Sequence, residues 1–209
     1  MPLLRVLDLA HNSFSGSFPF RTGDLGRLES LLASSNYMTG SLPKEISRLS
    51  SLARLEMSVN FFTGQVPESV GALTSLSVLE LKINSFSGSL PPSLGNLIEL
   101  RYRELEGNKL TSTLPSSLGK LIDLRRLRVT SNNMTGSIPK EFSNLSELLQ
   151  LYIQDNHFTS SLPRELANLT KLQFFHCSDN SLTGSLPTLG SLQKLIFLNV
   201  SFNRLTGIT

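Results

Sequence analysis

The sequence predicts an α/β repeat fold: a curved solenoid with a parallel β-sheet on its concave face and short helical or 3-10 segments on its convex face. The first reason is an asparagine that recurs every 24 residues and, at the last step, after 23. The second is a proline with the same spacing, and the third is a run of alternating leucines before each asparagine. Self-similarity at a period of roughly 20–50 residues is typical of solenoids and related arrays.

The asparagines define nine repeats, which we number from the amino terminus. They are Asn12, Asn36, Asn60, Asn84, Asn108, Asn132, Asn156, Asn180 and Asn203. The sequence around them follows the frame L-x-x-L-x-L-x-x-N-x-L-x-G-x-L-P-x-x-L-x-x-L. We expect residues 1–209 to form a single domain, with eight full repeats over about 4–194 and a partial ninth over 195–209.

The x-L-x-L-x part of the frame alternates with a period of two, which is typical of a short strand with one buried face. In repeat 4, for example, Leu79 and Leu81 are expected to point inward. One repeat cannot bury its own leucines, but stacked neighbours can. Equivalent strands should therefore lie side by side in a parallel sheet.

The asparagine follows the strand, where the chain must turn. Its side-chain amide can bond backbone groups that would otherwise be unpaired, so we expect a ladder of asparagine hydrogen bonds along the solenoid. The frame glycine suits unusual backbone angles, and the proline ends the turn before a loose helical segment such as 44–49. The prolines are Pro19, Pro43, Pro67, Pro91, Pro115, Pro139, Pro163 and Pro187.

Three places depart from the frame. Arg103 occupies a slot that holds Leu or Phe in the other repeats, and a charge in that core should cost several kcal/mol unless it is paired or reaches solvent. Ser112 and Ser160 replace the frame glycine, which predicts local strain or a different turn. One residue is missing after Pro187, so 188–190 should form a tighter outer turn.

Composition excludes several classes of protein. With 19 Lys and Arg against 16 Asp and Glu, the net charge of +3 is too small for a phosphate-binding surface, so we expect no nucleic-acid partner. No apolar run approaches the ~18 residues of a membrane helix, so we expect no direct membrane insertion by this segment. The single cysteine, Cys177, excludes a disulfide framework and a cysteine zinc site, and we expect a buried free thiol.

Catalysis finds little support in the sequence. The histidines His11, His157 and His176 lie in distant repeats or in different columns. His176 could approach Asp179, but no Ser or Cys nucleophile accompanies it together with the orienting third group of a catalytic triad. We therefore predict that the protein is not an enzyme and has neither a cofactor nor a metal site.

The segment after the asparagine reads T/S-G-x-L/I-P, as in 39–43 (TGSLP) and 135–139 (TGSIP). In this segment and in the frame, the chain resembles the plant-type leucine-rich repeat family over essentially its whole length. The resemblance implies the ectodomain of a receptor-like protein or receptor kinase, with a peptide or protein ligand on the concave face and a co-receptor as a second partner. It also implies an extracellular location at the plasma membrane, with a cytoplasmic location left open.

Two other functions stay open at this point. Plant inhibitors of cell-wall polygalacturonases resemble the chain in their repeats but carry cysteine caps. A cytosolic interaction scaffold is favoured by the lone cysteine and the missing signal peptide. Since extracellular members of the family usually have cysteine pairs at both ends, we expect a fragment of a longer ectodomain, with a degenerate gene product or an uncapped intracellular array as alternatives.

The outward strand positions form columns along the concave face, about 4.8 Å apart from repeat to repeat. They place an acidic stripe in repeats 3–5, an arginine pair in repeat 6 and an aromatic strip in repeats 7–9. A groove with separated acidic and basic stretches followed by exposed aromatic rings suits an extended peptide ligand. The alternative is that these residues form a solvated strand face with salt bridges between neighbouring Glu and Arg side chains. The candidate ligand contacts are Arg54, Glu56, Glu80, Tyr102, Glu104, Arg126, Arg128, Tyr152, Phe174 and His176.

Arg126 and Arg128 are the most specific of these candidates. Two arginines two residues apart on a strand point to the same side and can clamp one carboxylate. Their spacing resembles the R-x-R motif with which some plant peptide-hormone receptor kinases hold the free C-terminal carboxylate of a ligand. The family places that motif near the end of a longer array, whereas three repeats follow it here.

Four signals for N-glycosylation occur, at Asn133, Asn144, Asn168 and Asn199. Four is no excess over chance for a chain this rich in Asn, Ser and Thr, so the signals leave the compartment open. Asn199 is expected on a concave strand, where a glycan would block binding.

Overall fold

The computed structural model describes residues 3–18 and 25–208, and each repeat contributes two strands, one before the frame asparagine and one after it. The strands are β1 (Val6–Asp8), β2 (Ser15–Ser17), β3 (Ser30–Leu32), β4 (Tyr37–Thr39), β5 (Arg54–Glu56), β6 (Thr63–Gly64), β7 (Val78–Glu80), β8 (Ser85–Gly88), β9 (Tyr102–Glu104), β10 (Lys109–Leu110), β11 (Arg126–Arg128), β12 (Thr135–Gly136), β13 (Gln150–Tyr152), β14 (His157–Phe158), β15 (Phe174–His176), β16 (Thr183–Leu186), β17 (Phe197–Asn199) and β18 (Arg204–Ile208). Pro19, the first predicted repeat proline, lies outside the described residues.

The odd-numbered strands form one parallel sheet in the order β1-β3-β5-β7-β9-β11-β13-β15-β17. Each strand pairs with its equivalent in the next repeat in constant register, so that Leu79 of β7 lies opposite Leu55 of β5 and Arg103 of β9. The even-numbered strands make smaller parallel sheets. The predicted repeat solenoid with a parallel sheet is confirmed.

The inward side chains of the large sheet build a continuous apolar core. Leu31, Leu55, Leu79 and Leu127 are fully buried at the centres of their strands. Replacing such a leucine by alanine typically costs about 2–5 kcal/mol. Cys177 is a buried free thiol in this core, as predicted, and burial raises the pKa of its thiol to about 12.

The predicted asparagine ladder runs from repeat 2 to repeat 9, with each amide bonding the backbone of the preceding repeat. In repeat 5, Asn108 Nδ2 donates to the Leu81 carbonyl at 3.0 Å, and its Oδ1 accepts the Phe86 N–H at 3.0 Å. Nδ2 also contacts the carbonyls of Leu105 and Glu106. The ladder thereby satisfies backbone groups that the turns leave unpaired.

The other side of the solenoid carries short 3-10 helices, and no α-helix occurs in the described residues. The 3-10 helices are Lys44–Arg48, Glu68–Ala72, Pro92–Asn96, Ser116–Lys120, Lys140–Asn144 and Arg164–Asn168. Each begins directly after a repeat proline. In the shortened segment after Pro187 the chain makes a hydrogen-bonded turn instead, in which the Leu192 N–H donates to the Leu189 carbonyl at 2.9 Å.

Two positions in the frame take a left-handed backbone conformation. One is the frame glycine, with φ of 71° at Gly88 and 77° at Gly136. Ser112 and Ser160 adopt φ of 65° and 67° there, so they keep the same turn and bear the steric strain. The other position directly precedes the asparagine, and its φ is positive in all nine repeats.

Arg103 interrupts the apolar core. Its side chain is 0% exposed, and its register partners are Leu79 and Leu127. Nε, Nη1 and Nη2 have no hydrogen-bond partner among the residues that the structure describes. Burial lowers the pKa of Arg103 well below its ordinary value, to about 9. The predicted energetic cost therefore applies, because the guanidinium is neither paired with another described residue nor in contact with solvent.

Candidate functional site

The ten predicted ligand contacts all lie on outward positions of strands β5 to β15. Their register places Arg54, Tyr102, Arg126 and Phe174 in one column and Glu56, Glu80, Glu104, Arg128, Tyr152 and His176 in a second. Neighbouring strands are about 4.8 Å apart, so an extended ligand can contact several repeats at once.

The centre of the face is an ion-pair network around Glu104. This side chain is nearly buried, and its two carboxylate oxygens accept hydrogen bonds from Lys82 Nζ at 2.6 Å and Arg126 Nη1 at 3.0 Å. Burial by itself would raise the pKa of Glu104, but the bonds from Lys82 and Arg126 outweigh it, and the pKa is lowered. Glu104 therefore positions Lys82 and Arg126 and offers little free carboxylate to a ligand.

Glu80 differs from the other carboxylates of the stripe. It is half-buried, with Glu56 and Glu104 opposite it on the two adjacent strands. Glu56 pairs with Arg54, whereas Glu80 forms no ion pair within the described part of the chain. Burial and repulsion from Glu56 and Glu104 raise the pKa of Glu80. A cationic group placed here would relieve that repulsion.

Arg126 and Arg128 point to the same face of β11, and internal contacts hold both. Arg126 bonds the central carboxylate described above, and Arg128 Nη1 lies 3.6 Å from Glu106 Oε2. Their guanidinium carbons lie 5.8 Å from the Tyr102 ring centroid and 4.6 Å from the Tyr152 ring centroid, within the range of cation–π attraction. The Nη2 groups form no hydrogen bond with other described residues, so both can still donate to an anion.

The carboxyl-terminal part of the face is aromatic. The rings of Tyr152 and His176 meet edge-on with centroids 6.4 Å apart, and those of His176 and Phe197 do so at 5.6 Å. Phe174 lies in the neighbouring column, opposite Phe197. Edge-on contacts between rings are favourable, so the strip is a preformed apolar surface.

A serine that the sequence reasoning missed lies beside His176. Ser178 Oγ is 2.9 Å from His176 Nε2 and donates to Asp179 Oδ2 at 2.6 Å. In a catalytic triad the carboxylate orients the histidine, whereas here it accepts from the serine. Asn199 Nδ2 lies 3.0 Å from the same ring nitrogen, and burial, opposed by Asp179, lowers the pKa of His176. The sequence did contain a signal for this contact, because residues two apart in an extended segment, such as His176 and Ser178, point to the same side.

A second unpredicted feature lies beyond the ends of β3, β5 and β7. Tyr37, Val59, Phe61 and Ile83 are exposed and line a groove of about 400 Å³. The rings of Tyr37 and Phe61 are stacked with centroids 6.2 Å apart. We call these four residues the edge groove. The sequence did contain a signal for this groove. The positions directly before and after the frame asparagine hold mainly polar residues or glycine in the other repeats, so apolar residues there are unusual.

The candidate glycosylation sites differ in accessibility. Asn133, Asn144 and Asn168 are exposed. Asn199 lies on β17, as expected, and its Oδ1 accepts hydrogen bonds from the backbone N–H and the hydroxyl of Ser201. Its amide is therefore already engaged, and use of all four sites remains a prediction.

Metal and membrane features can be stated only for the part of the chain that the structure describes. Within residues 3–18 and 25–208, no three His, Cys, Asp or Glu side chains are grouped so as to hold a metal ion. The helices in these ranges are also too short and too polar to cross a bilayer.

The fold and the site define a class of protein, a repeat solenoid whose concave sheet is a binding scaffold. Residues 78–207, more than half of the chain, match the family model for a leucine-rich repeat region, and residues 3–25 match the model for a single leucine-rich repeat. The chain belongs to the leucine-rich repeat family, in its plant-type form. No curated protein matches it.

Similar solved structures include plant receptor ectodomains. The plant peptide hormone receptor RGFR1 in complex with RGF2 has a TM-score of 0.96 at 32% identity, covering 98% of this chain and 33% of that one. A TDR receptor has a TM-score of 0.92 at 36% identity, covering 95% of this chain and 35% of that one. A third structure is the Arabidopsis receptor kinase HAESA in complex with the peptide hormone IDA and the co-receptor SERK1. It has a TM-score of 0.89 at 36% identity, covering 96% of this chain and 34% of that one. The chain thus spans about a third of the length of these proteins.

Proposed function

We propose that the chain is the ligand-binding part of a plant receptor-like protein or receptor kinase ectodomain, and that it binds a peptide along its concave face. The observation that carries the proposal is the pair Arg126 and Arg128, held side by side in the middle of the sheet by carboxylates and tyrosine rings. The pair between Arg128 and Glu106 is a partly exposed ion pair, which contributes little stability, so the position of Arg128 is better explained by binding. The peptide complexes of RGFR1 and HAESA support the same conclusion.

In this proposal the pair receives the C-terminal carboxylate of the peptide. The free Nη2 groups of Arg126 and Arg128 donate to it, while Glu104 and Glu106 keep the guanidinium groups in position. Charge-assisted hydrogen bonds of this kind are about twice as strong as neutral ones. An extracellular location and a co-receptor, as in the HAESA complex, belong to the same proposal.

The test uses random dodecapeptides displayed with free carboxyl termini and selected on the intact protein. Each selected peptide is then synthesised as the free acid and as the C-terminal amide, and both are titrated by calorimetry. We expect the amide to bind at least tenfold more weakly, about 1.4 kcal/mol, because it lacks the charged acceptor. Equal affinities of acid and amide would contradict the carboxylate role.

Matched arginine variants separate this role from net charge. Arg128→Gln should remove the preference for the free acid and leaves the two hydrogen bonds of Glu104 intact. Arg164→Gln removes the same charge from an arginine with 90% side-chain exposure on the opposite side of the repeats. It should leave both affinities unchanged.

A further inference from the structure

The edge groove combines exposure with a small, defined shape. Its four side chains, Tyr37, Val59, Phe61 and Ile83, are 57%, 41%, 57% and 53% exposed. They come from repeats 2, 3 and 4 and surround a space of about 400 Å³. Stable protein–protein interfaces bury about 1,200–2,000 Å², far more than four side chains offer. The size of the groove suits one or two apolar side chains of a peptide better than a second folded protein.

The backbone of the groove carries strain that other residue types would reduce. Val59 and Ile83 occupy the position before the asparagine, with φ of 55° and 52°. A β-branched residue is a genuine outlier in this region. Other repeats meet the same requirement with Gly107 or Asp155, which tolerate it better. Residues held in such strained conformations occur preferentially at functional sites.

Close to the groove along the chain lies a carboxylate that forms no ion pair with another described residue. Glu80 ends β7, and Ile83 follows it by three residues, so the two are at most about 10 Å apart. Lys82, between them, is already bound to Glu104 at 2.6 Å. Lys82 and Arg54 attract Glu80 without forming an ion pair with it, so its carboxylate can still pair with a cation that a ligand supplies near Ile83.

We propose that Glu80 and the edge groove form one subsite for an extended peptide that carries a lysine or arginine within three residues of an aliphatic or aromatic residue. The basic side chain pairs with Glu80, and the apolar side chain enters the groove. This subsite rests on the proposed peptide-binding function and deepens it. From Glu80 in repeat 4 to Arg128 in repeat 6 is two strand spacings, about 10 Å, which a peptide of a few residues spans.

The peptides selected on the intact protein test this subsite. We expect them to share a lysine or arginine within three residues of an apolar residue, and replacing that basic residue by norleucine should weaken binding at least tenfold. On the protein, Glu80→Gln should weaken binding to the same degree. It removes one of three neighbouring carboxylates, so thermal unfolding should show no loss of stability.

The groove offers a variant whose effects on binding and stability are opposite. Val59→Asn with Ile83→Asn should raise the melting temperature, since asparagine tolerates a positive φ, while it weakens peptide binding at least tenfold. Phe202→Asn is the matched control. Phe202 has the same backbone conformation, with φ of 50°, but lies in repeat 9, far from the groove. It should raise the melting temperature and leave the affinity unchanged.

The outcomes separate this subsite from the function on which it rests. Selected peptides that bind Glu80→Gln and the groove variant as well as wild type, yet lose affinity for Arg128→Gln, would overturn the subsite and leave peptide binding intact. Peptides without a basic residue near an apolar one would do the same. If no peptide is enriched on the intact protein, peptide binding on the concave face fails, and the subsite fails with it.

Discussion

Repeats 5 and 6 place arginines on neighbouring strands with opposite consequences. In β9 the arginine is the central residue, with Tyr102 and Glu104 on either side, whereas in β11 two arginines flank Leu127. Successive side chains of a strand point to opposite faces, so a shift of one residue moves an arginine from the binding face into the core. The difference teaches that position in the pleat decides whether the charge destabilises the chain or contributes to its site.

The largest effect is expected from Arg103→Leu, which makes the centre of β9 like that of β11. Removing an unpaired buried charge and filling the slot with an apolar side chain should stabilise the protein by about 3 kcal/mol, measured by urea unfolding. The reverse change in repeat 6, Leu127→Arg, should destabilise the protein. If Arg103→Leu is less stable than wild type, the guanidinium must have a partner in solution.

The same substitution should show a particular pH dependence. The pKa of Arg103 is about 9 in the folded protein, well below its ordinary value in the unfolded chain. Between these values the unfolded chain binds more protons, so the stability of the wild type rises with pH relative to Arg103→Leu. The difference in unfolding free energy between the two proteins should therefore be smaller at about pH 10.5 than at about pH 8. A constant difference would contradict the lowered pKa.

A smaller effect is expected from Glu104→Gln, which weakens the link between repeats 4, 5 and 6. Lys82 and Arg126 lose their charged acceptor, at a cost of about 2 kcal/mol near pH 7. The pKa of Glu104 lies below its ordinary value of 4.5 in the folded protein, so this stabilisation is present above about pH 4.5 and is lost as the pH falls through the lower folded value.

Thermal unfolding of Glu104→Gln and wild type at about pH 7 and about pH 3 measures this contribution. The control is Glu106→Gln, since that carboxylate lies 3.6 Å from Arg128 and is more exposed than Glu104, so its loss should change stability by less than about 0.5 kcal/mol. Equal losses for the two variants would mean that burial of Glu104 adds nothing to its ion pairs.

The smallest effect on stability is expected at the left-handed turns of repeats 5 and 6, which differ in the residue that takes the left-handed conformation. Repeat 5 has Ser112 where repeat 6 has Gly136, and both residues have a left-handed backbone. Ser112→Gly should therefore stabilise the protein by about 1 kcal/mol, and Ser160→Gly should act in the same direction. Denaturant unfolding of the two single variants checks this. No change in the midpoint would mean that the serine turns are not strained.

Much of the fold could be predicted because it depends on local rules repeated in every turn. The alternation around Leu79 predicts a strand, and the constant step between asparagines predicts the register of neighbouring strands. The same frame predicted that Arg103 occupies a core slot and that Cys177 is buried. These conclusions need only the period of the sequence and the alternation of a strand.

The site was predicted less completely because its properties depend on side chains from different repeats. The sequence placed Glu104 on the concave face, but its burial follows from Lys82 on one side and Arg126 on the other, each 22 residues away. The edge groove was missed because its residues stand on either side of the frame asparagine, outside the strand columns.

The repeat in the sequence is enough to predict a solenoid of stacked turns and to say which side chains share its concave sheet. A step of 24 residues, 23 at the last repeat, leaves one way to bury every leucine, so the register needed no further information. Only the tertiary structure decided which charges neutralise one another and which stay available, as Glu80 does. Ion pairing depends on distances and burial between neighbouring turns, and the period of a sequence does not contain them.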